Sequence, residues 1–340
     1  MLSKLALLPL LSAAVSASPL LDARAPVAGL NERAVTITTA DLENLEFYTQ
    51  YVQATACNSD AAAGAAIACG SDACPTIEAN GGKIVQTFSG PVSGLEGFVG
   101  TDPVKKNIVV AIRSSHNVRN WITNLLFLFD DCDFVDDCKI HSGFSTAWDE
   151  IKDTVFAAVK TAKAANPSFS VITTGHSLGG AVATIAAAEL RRSGYTTDVY
   201  TYGSPRVGND AFVNFVTKQA GGEYRVTHLD DPVPRLPPIF LGYRHTSPEY
   251  WLSTGTTTTI DFAVGDIKIC EGDANTSCNG GTFGLNVDAH KYYFSKTSAC
   301  NADGFEFRQR EEDISDADLE ARLKTWIQMD IEFSKNLGRP

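Results

Sequence analysis

Past its first residues the chain has no apolar run near the ~20 residues that a membrane-crossing helix needs; the longest are strand-sized, such as Ile108 to Ile112. Positive charge is also short, with 28 Lys and Arg against 40 Asp and Glu, a net charge of −12. A surface that neutralises phosphates by counterion release is disfavoured, and nucleic acid and anionic membranes with it as main partners. There is no internal repeat and no Pro/Gly/Ser-rich linker within the body, which favours a single domain over residues 34–300. The eight cysteines show no zinc-site spacing, so no metal is expected. At 44% hydrophobic and 20% charged, the 340 residues are neither disordered nor collagen-like.

The amino terminus reads as an address. Lys4 supplies the positive region, Leu5 to Ala17 a short apolar region broken by Pro9, and Val15-Ser16-Ala17 a small-residue cleavage site. Residues 1–17 are therefore expected to be a signal peptide. Residues 18–33 lack periodicity and end at Arg33, as a short pro-segment would. The mature protein is expected to be soluble, secreted and monomeric. In that setting an even number of cysteines implies disulfides. Cys69/Cys74, Cys132/Cys138 and Cys270/Cys278 are close enough for small loops, which would leave Cys57 and Cys300 to tie distant segments together. Spacing alone still permits about 105 connectivities. One sequon, Asn275-Thr276-Ser277, offers Asn275 for glycosylation on a surface loop.

Thr39 can cap a helix in which Leu42, Leu45, Tyr48 and Val52 recur at helical spacing. Strand-like runs follow at Ile84 to Phe88, Leu95 to Val99 and Ile108 to Ile112, then a long helical stretch from Thr146 to Ala165. Beyond it the chain alternates: strand Phe169 to Thr173, helix Gly180 to Arg192, strand Val199 to Tyr202, helix Asp210 to Gln219, strand Tyr224 to Thr227. Right-handed crossovers turn that order into a mostly parallel sheet covered by helices, an α/β fold.

Chemistry concentrates at Gly175-His176-Ser177-Leu178-Gly179, between a strand and a small-residue helix. A bare G-x-S-x-G is weak evidence, but the strand-turn-helix setting is that of a nucleophile elbow. Glycines at 175 and 179 let the two backbones cross closely and hold Ser177 exposed and strained. A serine hydroxyl needs a base and an orienting carboxylate, in chain order Ser, Asp, His for this elbow. His245 and His290 both satisfy that order, and Asp230 and Asp231 both follow the strand ending at Thr227. Spacing does not choose within either pair.

The elbow, Arg113-Ser114-Ser115, Tyr202-Gly203-Ser204-Pro205-Arg206-Val207-Gly208-Asn209, the run from His228 to Pro238 and Gly242-Tyr243-Arg244-His245 together resemble the secreted class 3 lipases of filamentous fungi, from about Thr38 to Cys300. The resemblance implies an α/β-hydrolase fold with a short helical lid, acting on triacylglycerols at an oil–water interface without metal or organic cofactor. Matched motif by motif, it implies Ser177 as nucleophile, Asp231 as orienting acid and His290 as base, with His245 structural. It implies an oxyanion hole from the Leu178 N–H and from Ser115, with Ser114 standing where the family has Gly. It implies the pairs Cys57–Cys300, Cys69–Cys74 and Cys132–Cys138, which leaves Cys270 with Cys278.

Val118, Trp121, Ile122, Leu125 and Leu126 fall on one face of a short amphipathic helix, with Arg119, Asn120, Thr123 and Asn124 opposite. By itself this could be a core helix; by the resemblance it is the lid. Feruloyl esterases, phospholipases A1 and a non-catalytic lipid-binding shell share the architecture, but Trp121 and Gly179-Gly180 favour a lipase. Residues 301–340 lie outside the clearest resemblance. There Ser315 can cap a helix whose stripe is Leu319, Leu323, Trp326, Ile327 and Ile331, and packing of that helix on the body is the simpler expectation over a clamp or interfacial foot.

Overall fold

A computed structural model describes residues 36–113, 127–298, 300 and 315–337. The signal and pro-segment expectations (1–17 and 18–33), Ser115, and the lid residues Val118, Trp121, Ile122, Leu125 and Leu126 lie outside these residues. The chain opens with α1 (Thr39–Cys57). Its cap is Thr38 rather than Thr39: the Thr38 hydroxyl accepts from the Asp41 N–H while the Asp41 side chain reaches back to the Thr38 N–H. That reciprocal pair satisfies two helix-start donors, which places the boundary one residue earlier than the simple pattern did.

After α2 (Pro75–Ala79) come β1 (Lys83–Ser89), β2 (Glu96–Asp102) and β3 (Asn107–Arg113). A two-stranded ribbon of β4 (Phe129–Asp131) and β5 (Lys139–His141) is closed by Cys132–Cys138. The helical stretch anticipated from Thr146 to Ala165 is two helices, α3 (Ser142–Asp149) and α4 (Lys152–Ala165). The break falls at Glu150, whose carboxylate accepts from the Val92 and Ser93 N–H groups and the Ser93 hydroxyl. A side chain committed to the β1–β2 turn and a buried Ile151 turn the chain there. Then β6 (Ser170–His176), α5 (Leu178–Arg192), β7 (Thr197–Tyr202), α6 (Asp210–Lys218) and β8 (Glu223–His228) alternate as the pattern required. Strands β9 (Glu249–Leu252) and β10 (Ile267–Cys270) and a final helix α7 (Asp316–Asn336) complete the order.

The main sheet has eight strands in the order β1-β2-β3-β6-β7-β8-β9-β10. Strands β3, β6, β7, β8 and β9 pair in parallel, while β1, β2 and β10 are antiparallel additions at the edges. Alternation along β3 divides the core: Ile108, Val110 and Ile112 face the helices α3 to α6, and Val109 and Ala111 face α1. Both faces of a parallel sheet are buried, which is why β3 reads as a continuous apolar run. On the α1 face Tyr48, Tyr200 and Tyr224 stack across neighbouring elements with centroids 4.2 and 4.3 Å apart. Such rings add packing energy beyond their buried area.

Disulfides Cys57–Cys300, Cys69–Cys74, Cys132–Cys138 and Cys270–Cys278 are formed. The Cys57–Cys300 bridge spans 243 residues and ties the end of α1 to the segment after His290. Helix α7 packs on the body. Ser315 caps it through the Asp318 N–H, and Leu319 and Leu323 are buried against Val233 and Leu236. Trp326 meets Phe127 edge-on at 5.3 Å, and Asp330 forms a buried ion pair with Arg206. No helix among the described residues is long and apolar enough to cross a membrane.

Candidate active site

The parallel strands deliver their carboxyl ends to one edge of the sheet, and there the candidate residues collect. Strand β6 ends at His176 and α5 begins at Leu178, so one residue, Ser177, makes the whole turn. It does so at φ 55° and ψ −129°, a conformation that L side chains adopt at a cost of order 1–3 kcal/mol. Its N–H donates to the Tyr202 carbonyl at 2.9 Å, and its carbonyl accepts from the Gly180 N–H at 2.9 Å. A Cβ on Gly175 would lie 2.3 Å from the Gly179 carbonyl oxygen, and one on Gly179 would lie 2.3 Å from the Ile112 carbonyl oxygen. Backbone therefore touches backbone on both sides of the turn, and glycine alone fits. Leu178 opens α5, so its N–H belongs to the first turn, where donors have no partner within the helix.

Strand β8 ends at His228 and the chain turns through Leu229 at φ 39°. The Asp231 N–H donates back to the His228 carbonyl at 3.0 Å, which aims the Asp231 carboxylate inward. Its Oδ1 accepts from the Val233 N–H at 2.9 Å, and its Oδ2 lies 2.7 Å from His290 Nδ1. Because a carboxylate accepts, Nδ1 carries the proton and Nε2 keeps its lone pair. Asp230 instead takes its bond from the Asn286 amide at 2.7 Å. His245 places Nε2 2.7 Å from the Pro234 carbonyl. Of the two acids and two bases that spacing left open, the structure joins Asp231 to His290.

His290 sits in a short helical turn, Ala289–Lys291. That turn is held from several sides. His176 Nε2 lies 2.7 Å from the His290 carbonyl, and their rings are 4.4 Å apart. His228 Nδ1 lies 3.1 Å from the Ala289 carbonyl. The Asn279 amide donates to the Asp231 carbonyl at 3.0 Å and to that of Leu229 at 3.1 Å. Ser177 is 2% exposed, and Asp231 and His290 are fully buried. Burial, with His290 nearby, holds the His176 imidazole well below its usual pKa, and burial lowers that of His228. Burial also pushes the Arg235 guanidinium down to about 10 despite the neighbouring Asp231 and Asp230.

Three contributors escaped the sequence reading. Tyr293 donates its hydroxyl to Asp231 Oδ2, the same oxygen that faces His290. Gly203, at φ 59°, leaves room for that group: a Cβ there would stand 2.9 Å from His290 Nδ1, 2.9 Å from the Tyr293 hydroxyl and 3.0 Å from Asp231 Oδ2. Asn279 braces the acid-bearing turn from 48 residues away. A residue three after a candidate base was the one available signal for Tyr293; Asn279 gave none.

The family description "Lipase (class 3)" matches residues 109–241, from β3 past the elbow and the Asp231 turn. The chain is 50% identical to the secreted mono- and diacylglycerol lipase 1 of Fusarium solani, covering 96% of both chains. It is 36% identical to the secreted mono- and diacylglycerol lipase A of Penicillium cyclopium, over 80% of this chain and 91% of that one. The solved mono- and diacylglycerol lipase of Aspergillus oryzae superposes with a TM-score of 0.73 at 37% identity, over 78% of this chain and all of that chain. Elbow, sheet order and relatives agree: the chain belongs to the class 3 lipases, serine ester hydrolases of the α/β-hydrolase fold.

Proposed function

We propose that Ser177, His290 and Asp231 are nucleophile, base and orienting acid in the hydrolysis of acylglycerol esters at an oil–water interface. The buried Asp231–His290 contact, beside an elbow that strains Ser177, carries the assignment. Ser177 Oγ attacks the ester carbonyl as its proton passes to His290 Nε2, and the proton then leaves with the glyceride alcohol. Water repeats the cycle on the acyl-serine. The oxyanion is held by the Leu178 N–H and by Ser115, each donor contributing about 3–4 kcal/mol in the transition state. Residues 118–126 serve as the lid, by the amphipathic pattern of Val118, Trp121, Ile122, Leu125 and Leu126.

Mono- and diacylglycerols come first as substrates because all three named relatives are mono- and diacylglycerol lipases, with triacylglycerol the wider expectation. The protein acts outside the cell: the Fusarium solani and Penicillium cyclopium relatives are named as secreted, and residues 1–17 carry a signal-peptide pattern. It works as a monomer without metal or organic cofactor. Asn275 is the glycosylation site, on a loop where Oδ1 accepts from the Ser277 N–H at 2.7 Å.

The test compares mono-, di- and tributyrin, each scanned through its solubility limit, with methyl ferulate in parallel and Ser177→Ala as control. A rate that jumps as the emulsion forms, and that vanishes in Ser177→Ala, is expected. Smooth saturation with ferulate turnover would replace the lipase by a soluble-ester hydrolase.

A further inference from the structure

We propose that Asp230, the aspartate that the triad does not use, is a positioning residue for the base: through the Asn286 side chain it holds the backbone of the turn that carries His290. The proposal rests on the triad reading above. Asp230 Oδ1 accepts from the Asn286 amide at 2.7 Å, and Asn286 Oδ1 accepts from the Ala289 N–H at 3.1 Å. One side chain therefore spans the gap between the acid-bearing turn and the residue just before the base. Two neighbouring aspartates divide the work: Asp231 meets the His290 ring at Nδ1, and Asp230 reaches the main chain beside it.

The bridge has work to do because residues 282–288 run as loop and turn between two short helical turns, Asn279–Gly281 and Ala289–Lys291. Side chains must set the path of such a segment. Arg235, from the acid-bearing turn, donates to the Thr282 carbonyl at 2.7 Å and the Gly284 carbonyl at 2.5 Å, and it braces the Asp230 carbonyl at 3.0 Å. Arg235 thus holds the upstream part of the loop, and the Asp230–Asn286 bridge holds the part next to the base. Leu285, between these anchors, packs into the cluster of Val233, Leu236, Leu319 and Leu323. The carbonyls of Ala289 and His290 face His228 and His176, so with the Ala289 N–H on Asn286 both sides of the Ala289 peptide chain are tied. The Asp230 carboxylate fits closely as well: a Cβ on Gly284, at φ 113°, would stand 2.9 Å from its Oδ2. A hydrogen bond to a carboxylate is stronger than one between neutral groups, which suits a strut. A base that drifts loses its alignment with Ser177 and Asp231 together, a loss that falls on kcat rather than KM.

The test exchanges donor and acceptor. Asn286→Asp sets a second carboxylate against that of Asp230, which breaks the bridge by repulsion. Combining it with Asp230→Asn swaps the pair: the new amide donates to the new carboxylate, which still accepts from the Ala289 N–H. The full chain, with active sites counted by a fluorophosphonate, is assayed on a soluble p-nitrophenyl ester. Asn286→Asp should lower kcat per active site about tenfold, with KM changed little. The swapped protein should recover to within about threefold of the unsubstituted one, the sign of a direct coupling between the two positions. Asn286→Ala removes both bonds without adding charge; it should lose kcat to a similar extent, and it keeps the test decisive if Asn286→Asp folds poorly. Unchanged kcat per active site in Asn286→Ala, or a swapped protein no faster than Asn286→Asp, would overturn the proposal whatever happens to Tm. The triad reading fails separately, by Ser177→Ala still taking up the fluorophosphonate and turning over ester.

Discussion

The two halves of the site are built by different forces. On the Ser177 side the geometry is steric: within five residues, two glycines admit backbone at 2.3 Å from where a Cβ would be, and the serine has no other place to go. On the His290 side it is polar: Asp231 takes bonds from His290, Tyr293 and Asn279, and His176 and His228 face the carbonyls of His290 and Ala289, a network drawn from four separate segments. A steric turn is rigid and fails by unfolding. A polar network adjusts, and fails by losing alignment or by titrating.

The largest expected effect is chemical and spares both halves. Ser177→Ala should lower hydrolysis of a soluble ester by 10⁴-fold or more, an order of magnitude taken from other serine hydrolases. It should also leave Tm unchanged or raised, since alanine carries no reactive group and the turn remains. Activity persisting in that protein would remove the elbow from the mechanism.

Paired glycine substitutions then separate the halves. Gly179→Ala presses a methyl into the Ile112 carbonyl and should destabilise the fold by about 3 kcal/mol or more, read as a lower urea midpoint. Gly203→Ala presses on side-chain atoms at 2.9 to 3.0 Å rather than on backbone, at a φ of 59° that itself strains an alanine. It should cost less stability and instead lower kcat by roughly 10²-fold through misplacement of His290. Equal loss of stability in both proteins would erase the distinction between steric and polar construction.

The acid-bearing turn is also propped from behind. Arg206 donates to the Arg235 and Pro237 carbonyls at 2.6 and 2.8 Å and pairs with Asp330 of α7 at 3.1 Å, both side chains being buried. Asp330→Ala leaves a buried guanidinium unpaired, for a loss of about 3–5 kcal/mol in urea unfolding. Replacing both partners with apolar residues of like volume should recover most of it. Recovery identifies the loss as an uncompensated charge; no recovery would mean that the hydrogen bonds to the turn matter more.

The smallest effect sharpens the polar half. His176, His228 and His245 are held below their ordinary pKa chiefly by burial, so the native state stays neutral where unfolded histidine begins to bind protons near pH ~6.5. The unfolded state then carries more protons, and stability falls as pH drops below that value, by up to about 1.4 kcal/mol per pH unit for each histidine. Above it their contribution is complete and flat. Urea midpoints from pH 8 to 5 measure this. His245→Gln should reduce the slope without altering the acid limb of kcat/KM, because His245 faces the Pro234 carbonyl rather than Asp231.

Much of the fold was legible in the sequence because its signals are short-range. The alternation of strands and helices from β6 to β8, the cap at Ser315 and the elbow itself each depend on residues within a few positions. The long helix read from Thr146 failed at Glu150, because the carboxylate that ends it is claimed by Val92 and Ser93, about 57 residues away in sequence. The cap at Thr39 missed by one residue because Thr38 and Asp41 bond reciprocally.

The sequence by itself determined that a serine would be forced into a strained turn at the carboxyl end of a parallel sheet, since backbone sterics and β-branched runs act locally. It could also name the class, because several such local motifs stand in a fixed order. Tertiary structure decided which aspartate and which histidine meet, 59 residues apart, and that Tyr293 shares the oxygen between them. Those choices rest on side-chain directions at the ends of separate elements, and a direction exists only once the sheet beneath it has been assembled.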